Sequence, residues 1–170
     1  MNTPRKALFS VRRRLAGIGI ALILIGLIFR SSYQLTVVSG DSMLPTLRSG
    51  DLLVVNKRAY QRLEPNREDI VVARYAGGLI VKRVVGLPGE QLEVKQGRVF
   101  VNGARVPEHY AISPGYLFVG GGKMFRGDYA TLGDNRAIPP ATAVHPIVTK
   151  ADILGKVVFV IKARPFWQKT

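Results

Sequence analysis

The chain has 170 residues, enough for one domain of ordinary size, and its 47% hydrophobic composition can fill a core. It contains no cysteine, which excludes disulfides, thiolate metal sites and a cysteine nucleophile, so covalent catalysis would have to use Ser, Thr or Lys. Twenty-five Lys and Arg against 11 Asp and Glu give a net charge of +14, which by itself fits nucleic acid, an anionic membrane surface or an acidic substrate.

The location of the charge decides among these. Arg5, Lys6, Arg12, Arg13 and Arg14 precede residue 15 with no acid among them, leaving a net +9 for the rest. Leu15 to Phe29 is uncharged and apolar but covers only about 22 Å as a helix, against ~30 Å of hydrocarbon. Arg30 can snorkel, and Ser31, Ser32 and Tyr33 can carry the helix into the interface, so the span is placed at residues 15–33. A cleaved secretory signal is the rival reading, but around Phe29-Arg30-Ser31-Ser32 the outer small-residue position is taken by Phe29 or Arg30. The segment is therefore read as a retained anchor. Five positive charges before it and one after place residues 1–14 in the cytoplasm and residues 34–170 outside.

After the anchor, short β-branched runs predict strands at 52–56, 70–74, 79–85, 91–94, 99–101, 116–119 and 157–161, separated by Gly, Pro and Asn. Lys95-Gln96-Gly97-Arg98 reads as a hairpin connection and Asn102-Gly103 as a second tight turn. Residues 107–127, with two prolines and five glycines, read as loop, and Pro139-Pro140 and Pro146 mark another irregular segment. No apolar period of 3.6 residues lasts three turns past residue 34, so the expectation is a mostly-β domain, an irregular barrel or packed antiparallel sheets.

Two stretches could carry chemistry. Ser42, in Ser39-Gly40-Asp41-Ser42-Met43-Leu44-Pro45-Thr46-Leu47, follows a glycine-containing turn that can present a hydroxyl outward; the bland alternative is a serine that satisfies turn amides. Lys82 lies in a predicted strand whose alternation groups it with Ile80 and Val84 and turns Arg83 the other way. A lysine at its reference pKa of ~10.4 is neutral in only about one part in a thousand near pH 7.5, and each unit of lowering costs about 1.4 kcal/mol. Burial beside apolar groups can supply that; the bland alternative is an edge lysine reaching water. His109 and His145 stand in proline-containing text with no pattern supporting a Ser-His-Asp arrangement. No cluster has metal-ligand spacing and no glycine-rich junction suggests a phosphate site, so no cofactor is expected.

Together these segments resemble the bacterial type I signal peptidase family. Ser39 to Leu47 is similar to its nucleophile box, Glu68-Asp69-Ile70-Val71-Val72 to the following strand box, and Lys82 to Glu90 to its lysine box. Gly133-Asp134-Asn135-Arg136 opens the last box. The resemblance implies a mostly-β catalytic domain on the outer face of a membrane that cuts signal peptides of exported preproteins after small residues. Ser42 would be the nucleophile, neutral Lys82 the general base and Met43 a wall of the substrate pocket, with membrane lipid and signal peptides as partners and no nucleic acid. Two departures are visible. Gly40 stands where some members carry a second oxyanion donor, for which Ser39 is a candidate, and Pro139, Ala141 and Ala143 replace the usual Ser, Asp and Arg of the last box. Thr142 is the remaining candidate to orient the lysine, and the departure suggests a divergent member with a narrow substrate set. Self-cleaving repressors of the SOS type share a Ser-Lys dyad but carry a helix-turn-helix where this chain has an anchor. A pilin or conjugation maturation peptidase, and a catalytically dead anchored binding module, are the other readings.

Overall fold

The computed structural model of the chain describes residues 4–139 and 146–163, with side chains from residue 14 onward except at residue 25. It divides into two units, Met1–Tyr33 and Gln34–Thr170.

The first unit is helix α1, Pro4–Ser32, which opens on a proline whose missing N–H is no loss at a first helical position. Within it, Arg14–Ser32 is long and apolar enough to cross a membrane. Tyr33, expected to close the span, instead begins a strand and stacks on Phe29 with ring centroids 4.9 Å apart. The helix ends where Tyr33, Leu35, Thr36 and Val37 favour extended backbone that a neighbouring strand can pair.

Among the described residues, eleven strands form two antiparallel sheets, and all but Tyr33, the first residue of the first strand, belong to the second unit. The larger has the order β1 (Tyr33–Val37), β2 (Leu52–Asn56), β11 (Ile153–Ile161), β3 (Ile70–Tyr75), β4 (Gly78–Gly86), β9 (Asp128–Leu132), β10 (Ile147–Thr149). The smaller has the order β7 (Ala104–Arg105), β6 (Arg98–Val101), β5 (Gln91–Lys95), β8 (Val119–Lys123). The sheets share a core in which Val85 and Leu132 of the larger meet Leu92, Val94 and Val99 of the smaller. Period-two alternation produces the buried faces: Leu53 and Val55 of β2 point inward and join Val38, Met43, Leu47 and Val72 in a second cluster.

Both expected turns form. Gln96 and Gly97 have φ of 49° and 70° between β5 and β6, and Asn102 and Gly103 have 51° and 82° between β6 and β7, as two-residue primed turns require. The expectation for 116–119 is corrected: the strand is Val119–Lys123, across three glycines within the stretch read as loop. Pairing with β5 overrides their poor strand propensity. Tyr116 and Phe118 point outward around buried Leu117, whose carbonyl accepts the Gly97 N–H. β11 starts at Ile153, ahead of the expected 157, and β1, β7, β9 and β10 had no sequence expectation.

Candidate active site

β4 carries two adjacent cations into the interior, Lys82 and Arg83, only 7% and 5% exposed. Strand alternation sends them to opposite faces, and their surroundings differ. Arg83 forms a bidentate pair with Asp134 (Nε to Oδ1 2.8 Å, Nη2 to Oδ2 2.6 Å), donates to the Glu68 carbonyl at 2.8 Å and lies 3.8 Å above the Tyr110 ring. The Thr46 hydroxyl donates to the same carboxylate at 2.5 Å. Asp134 is fully buried, and this saturation by two partners is what a buried carboxylate requires. Lys82 Nζ, by contrast, has no hydrogen-bond or ion-pair partner among the described residues. Burial pushes its pKa down from the ordinary lysine value, and the negative charge of Asp134 opposes that only in part.

The turn bearing Ser42 follows β1. Gly40, at φ 87°, reverses the chain, the Leu44 N–H reaches the Asp41 carbonyl at 3.1 Å, and the Leu44–Pro45 peptide is cis. The antiparallel pairing of β4 with β9 sets Arg83 opposite Leu132, so the residues after β9 pass beside the lysine. Those residues also brace the serine turn: the Asn135 N–H donates to the Ser42 carbonyl at 3.1 Å and the Asn135 amide to the Asp41 carbonyl at 3.0 Å. A Cβ built on Gly133 would stand 2.2 Å from the Ser42 carbonyl oxygen and 3.4 Å from Lys82 Nζ. Gly133 is thus where the nucleophile turn and the lysine amine converge, and only a residue without a side chain fits.

Ser42 and Lys82 line one cavity of about 520 Å³. Met43 forms part of its wall, buried against Leu47 and Leu53, and Ser39, exposed, is on its rim with Asn135. Among the described residues neither the Ser42 hydroxyl nor its N–H is engaged in a hydrogen bond, and Ser42 Oγ and Lys82 Nζ share the cavity without a direct one. Arg136, 1% exposed, has a structural setting: it donates to the carbonyls of Gly133 (2.7 Å) and Gly97 (2.5 Å) and pairs with Glu108 (2.6 Å), holding the β5–β6 turn against the 133–136 segment. His109 is exposed and pairs with Glu68 at 3.0 Å, away from the cavity lining. Thr142, Ala141, Ala143 and His145 lie outside the described residues. Among the described residues no group of His, Asp and Glu could hold a metal ion.

Sequence reasoning did not single out Thr36, Leu79, Leu117, Leu132 or Ile138, which also line the cavity. These positions converge only through strand pairing, and no local pattern distinguishes them from ordinary core.

The profile of the family described as signal peptidase, peptidase S26, matches residues 11–162. Similar curated proteins include probable signal peptidase I-2 of Synechocystis sp., 36% identical over 127 residues that make up 70% of this chain and 58% of the relative. Signal peptidase I of Leptolyngbya laminosa is 35% identical over 131 residues, 71% of this chain and 64% of the relative. Signal peptidase I T of Bacillus subtilis (strain 168) is 36% identical over 129 residues, 69% of this chain and 67% of the relative. The chain thus spans about three-fifths of the length of the first two. With a profile match over most of its length, a mostly-β fold and an apolar N-terminal helix, the chain belongs to the peptidase S26 family of signal peptidases.

Proposed function

We propose that the protein is a membrane-anchored serine endopeptidase that removes signal peptides from exported preproteins after small residues, with Ser42 as nucleophile and Lys82 as general base. The observation that carries this reading is a buried amine without a counter-ion in the same cavity as an unengaged serine hydroxyl. An ammonium in that setting sheds its proton more readily than one in water, which is what a base near neutral pH needs.

The chain's own residues then act in sequence. Neutral Lys82 takes the Ser42 proton as Oγ attacks the scissile carbonyl, and the contact between them closes as substrate fills the cavity. The Ser42 N–H donates to the developing oxyanion, a contribution of about 3 kcal/mol for donors of this type. Lys82 returns the proton to the leaving amine, and water, activated by the same amine, hydrolyses the acyl-enzyme. Ser39, on the cavity rim, is the candidate second oxyanion donor. Met43 limits the depth of the pocket that receives the small side chain. α1 is proposed to span the membrane with its basic start in the cytoplasm and residues 34–170 outside, since five positive charges precede the apolar stretch.

The test is cleavage of a preprotein by the full chain in detergent micelles. Ser42→Ala and Lys82→Ala are each expected to abolish processing while keeping the fold, and Lys82→Arg fails too because guanidinium does not deprotonate. Turnover retained in Lys82→Arg refutes the base assignment. The second reading is a specialised pilin or conjugation maturation peptidase with a narrow substrate set, suggested by Pro139 in place of the serine usual in the last box. Comparing a general preprotein with a pilin precursor separates these, and equal rates contradict the narrow set.

A further inference from the structure

Thr36 lies on β1, six residues before Ser42, and lines the same cavity as Ser42 and Lys82. Its Oγ1 is buried without a hydrogen-bond partner, the one side-chain polar atom in that condition among the described residues. Folded proteins satisfy nearly every buried hydroxyl, so an unpartnered one on a residue that lines a cavity can gain a bond by turning toward a partner held there. The residue as a whole is only half-buried, and the hydroxyl and methyl of threonine are exchanged by a rotation of about 120° between staggered wells. The hydroxyl can therefore turn to meet a ligand with no change in backbone or volume.

The rest of the wall sets the chemistry of that ligand. Val38, Met43, Leu79, Ile80 and Leu132 are apolar, so Thr36 offers a polar contact where the surroundings select for small hydrophobic groups. β1 is an edge strand of its sheet, and its open main-chain groups are the natural complement of a peptide main chain. That leaves the Thr36 side chain for a side chain of the peptide. A hydroxyl both donates and accepts, so it suits Ser, Thr or Asn, all small enough for the pocket.

We infer that Thr36 is a specificity-determining residue whose hydroxyl hydrogen-bonds a small polar side chain of the substrate, within about three residues of the scissile bond. This rests on the proteolytic reading above and adds to it: the chain prefers cleavage sites that carry Ser, Thr or Asn at one position over sites built of alanine alone.

The experiment uses the full chain in detergent micelles and a parent peptide with alanine at the three positions on either side of the cleaved bond, each replaced in turn by serine. At one position the wild type is expected to show a kcat/KM ratio, serine over alanine, of about three to ten, the span of one net hydrogen bond. Thr36→Val and Thr36→Ala bring that ratio to about one, whereas Thr36→Ser keeps it. The ratio is internal to each protein and so is readable from whatever activity a variant has. A wild type with no serine preference at any position, or a preference that survives in Thr36→Val, overturns the inference. Failure of the wild type to cleave the all-alanine parent and every serine peptide overturns instead the proteolytic reading on which it stands.

Discussion

Gly133→Ala tests the geometry of the site without touching a reacting group. A Cβ at this position would lie 2.2 Å from the Ser42 carbonyl oxygen and 3.2 Å from its carbon, whereas a carbon–oxygen contact needs roughly 3.3 Å. The deficit is about 1 Å, and the obstructing atoms are the Ser42 backbone, so no flexible side chain can absorb it. Either the serine turn or the 133–135 segment must retreat by that amount, and both are tied together by the Asn135 N–H to Ser42 carbonyl bond at 3.1 Å. The Lys82 amine, 3.4 Å from the same Cβ, is in ordinary contact with it, so the displacement falls on the serine turn relative to the amine. Misplacing reacting groups by about 1 Å costs on the order of a hundredfold, while one strained or lost hydrogen bond costs the fold only about 1 kcal/mol. The expected variant is therefore folded, melts a few degrees lower, and cleaves a preprotein peptide with kcat/KM down about a hundredfold. A folded Gly133→Ala protein with kcat/KM within threefold of wild type would refute the convergence of Ser42 and Lys82 at this glycine.

The buried ion pair sets the direction of two pH shifts. In Arg83→Met the Asp134 carboxylate loses its bidentate partner and acts unopposed on Lys82, raising the amine's pKa, so the rising limb of kcat/KM against pH moves to higher pH; Asp134→Asn removes the charge that opposes deprotonation and moves it lower. Shifts of the same sign in both variants would contradict this, and both are expected to lower the melting temperature because one buried member is left unpaired. Lys82→Met is expected to stabilise the fold at neutral pH. The unfolded chain holds the Lys82 proton up to the ordinary value of 10.5 while the folded protein releases it earlier, so wild-type stability climbs with pH across that window and the gap between the two proteins narrows. A pH-independent gap in thermal melts would count against a depressed pKa. Asn135→Ala removes the 3.0 Å brace on the Asp41 carbonyl and is expected to lower kcat/KM about fivefold, the worth of one hydrogen bond, in the same peptide assay; an unchanged rate removes the brace from the account.

The sequence was most informative where pattern and burial agree. The runs Leu-Leu-Val-Val-Asn and Ile-Val-Val-Ala-Arg-Tyr alternate or saturate with β-branched residues and became β2 and β3, and the alternation that separates Lys82 from Arg83 is visible in the text of β4. β8 was illegible because its glycines have no strand propensity and owe their conformation to pairing with β5. β1 was hidden by the helix before it, since Tyr33 serves equally well at a membrane interface and in a strand. In the site, Ser42 and Lys82 were legible through motif resemblance, but the partner of Arg83 was not. Asp134 lies 51 residues away and reaches it only because β4 and β9 pair. The tightness at Gly133 and the unpartnered hydroxyl of Thr36 are likewise properties of packing, and a single Gly or Thr in text carries no mark of either.

Catalysis by the proposed dyad depends on Lys82 being neutral at a pH where an exposed lysine is charged. The most direct measurement is an NMR titration of the Lys82 side-chain amine in the folded Ser42→Ala protein, which keeps the cavity and removes turnover. A midpoint well below 10.5 is the expected result, and a midpoint at the ordinary lysine value would contradict the assignment of Lys82 as general base.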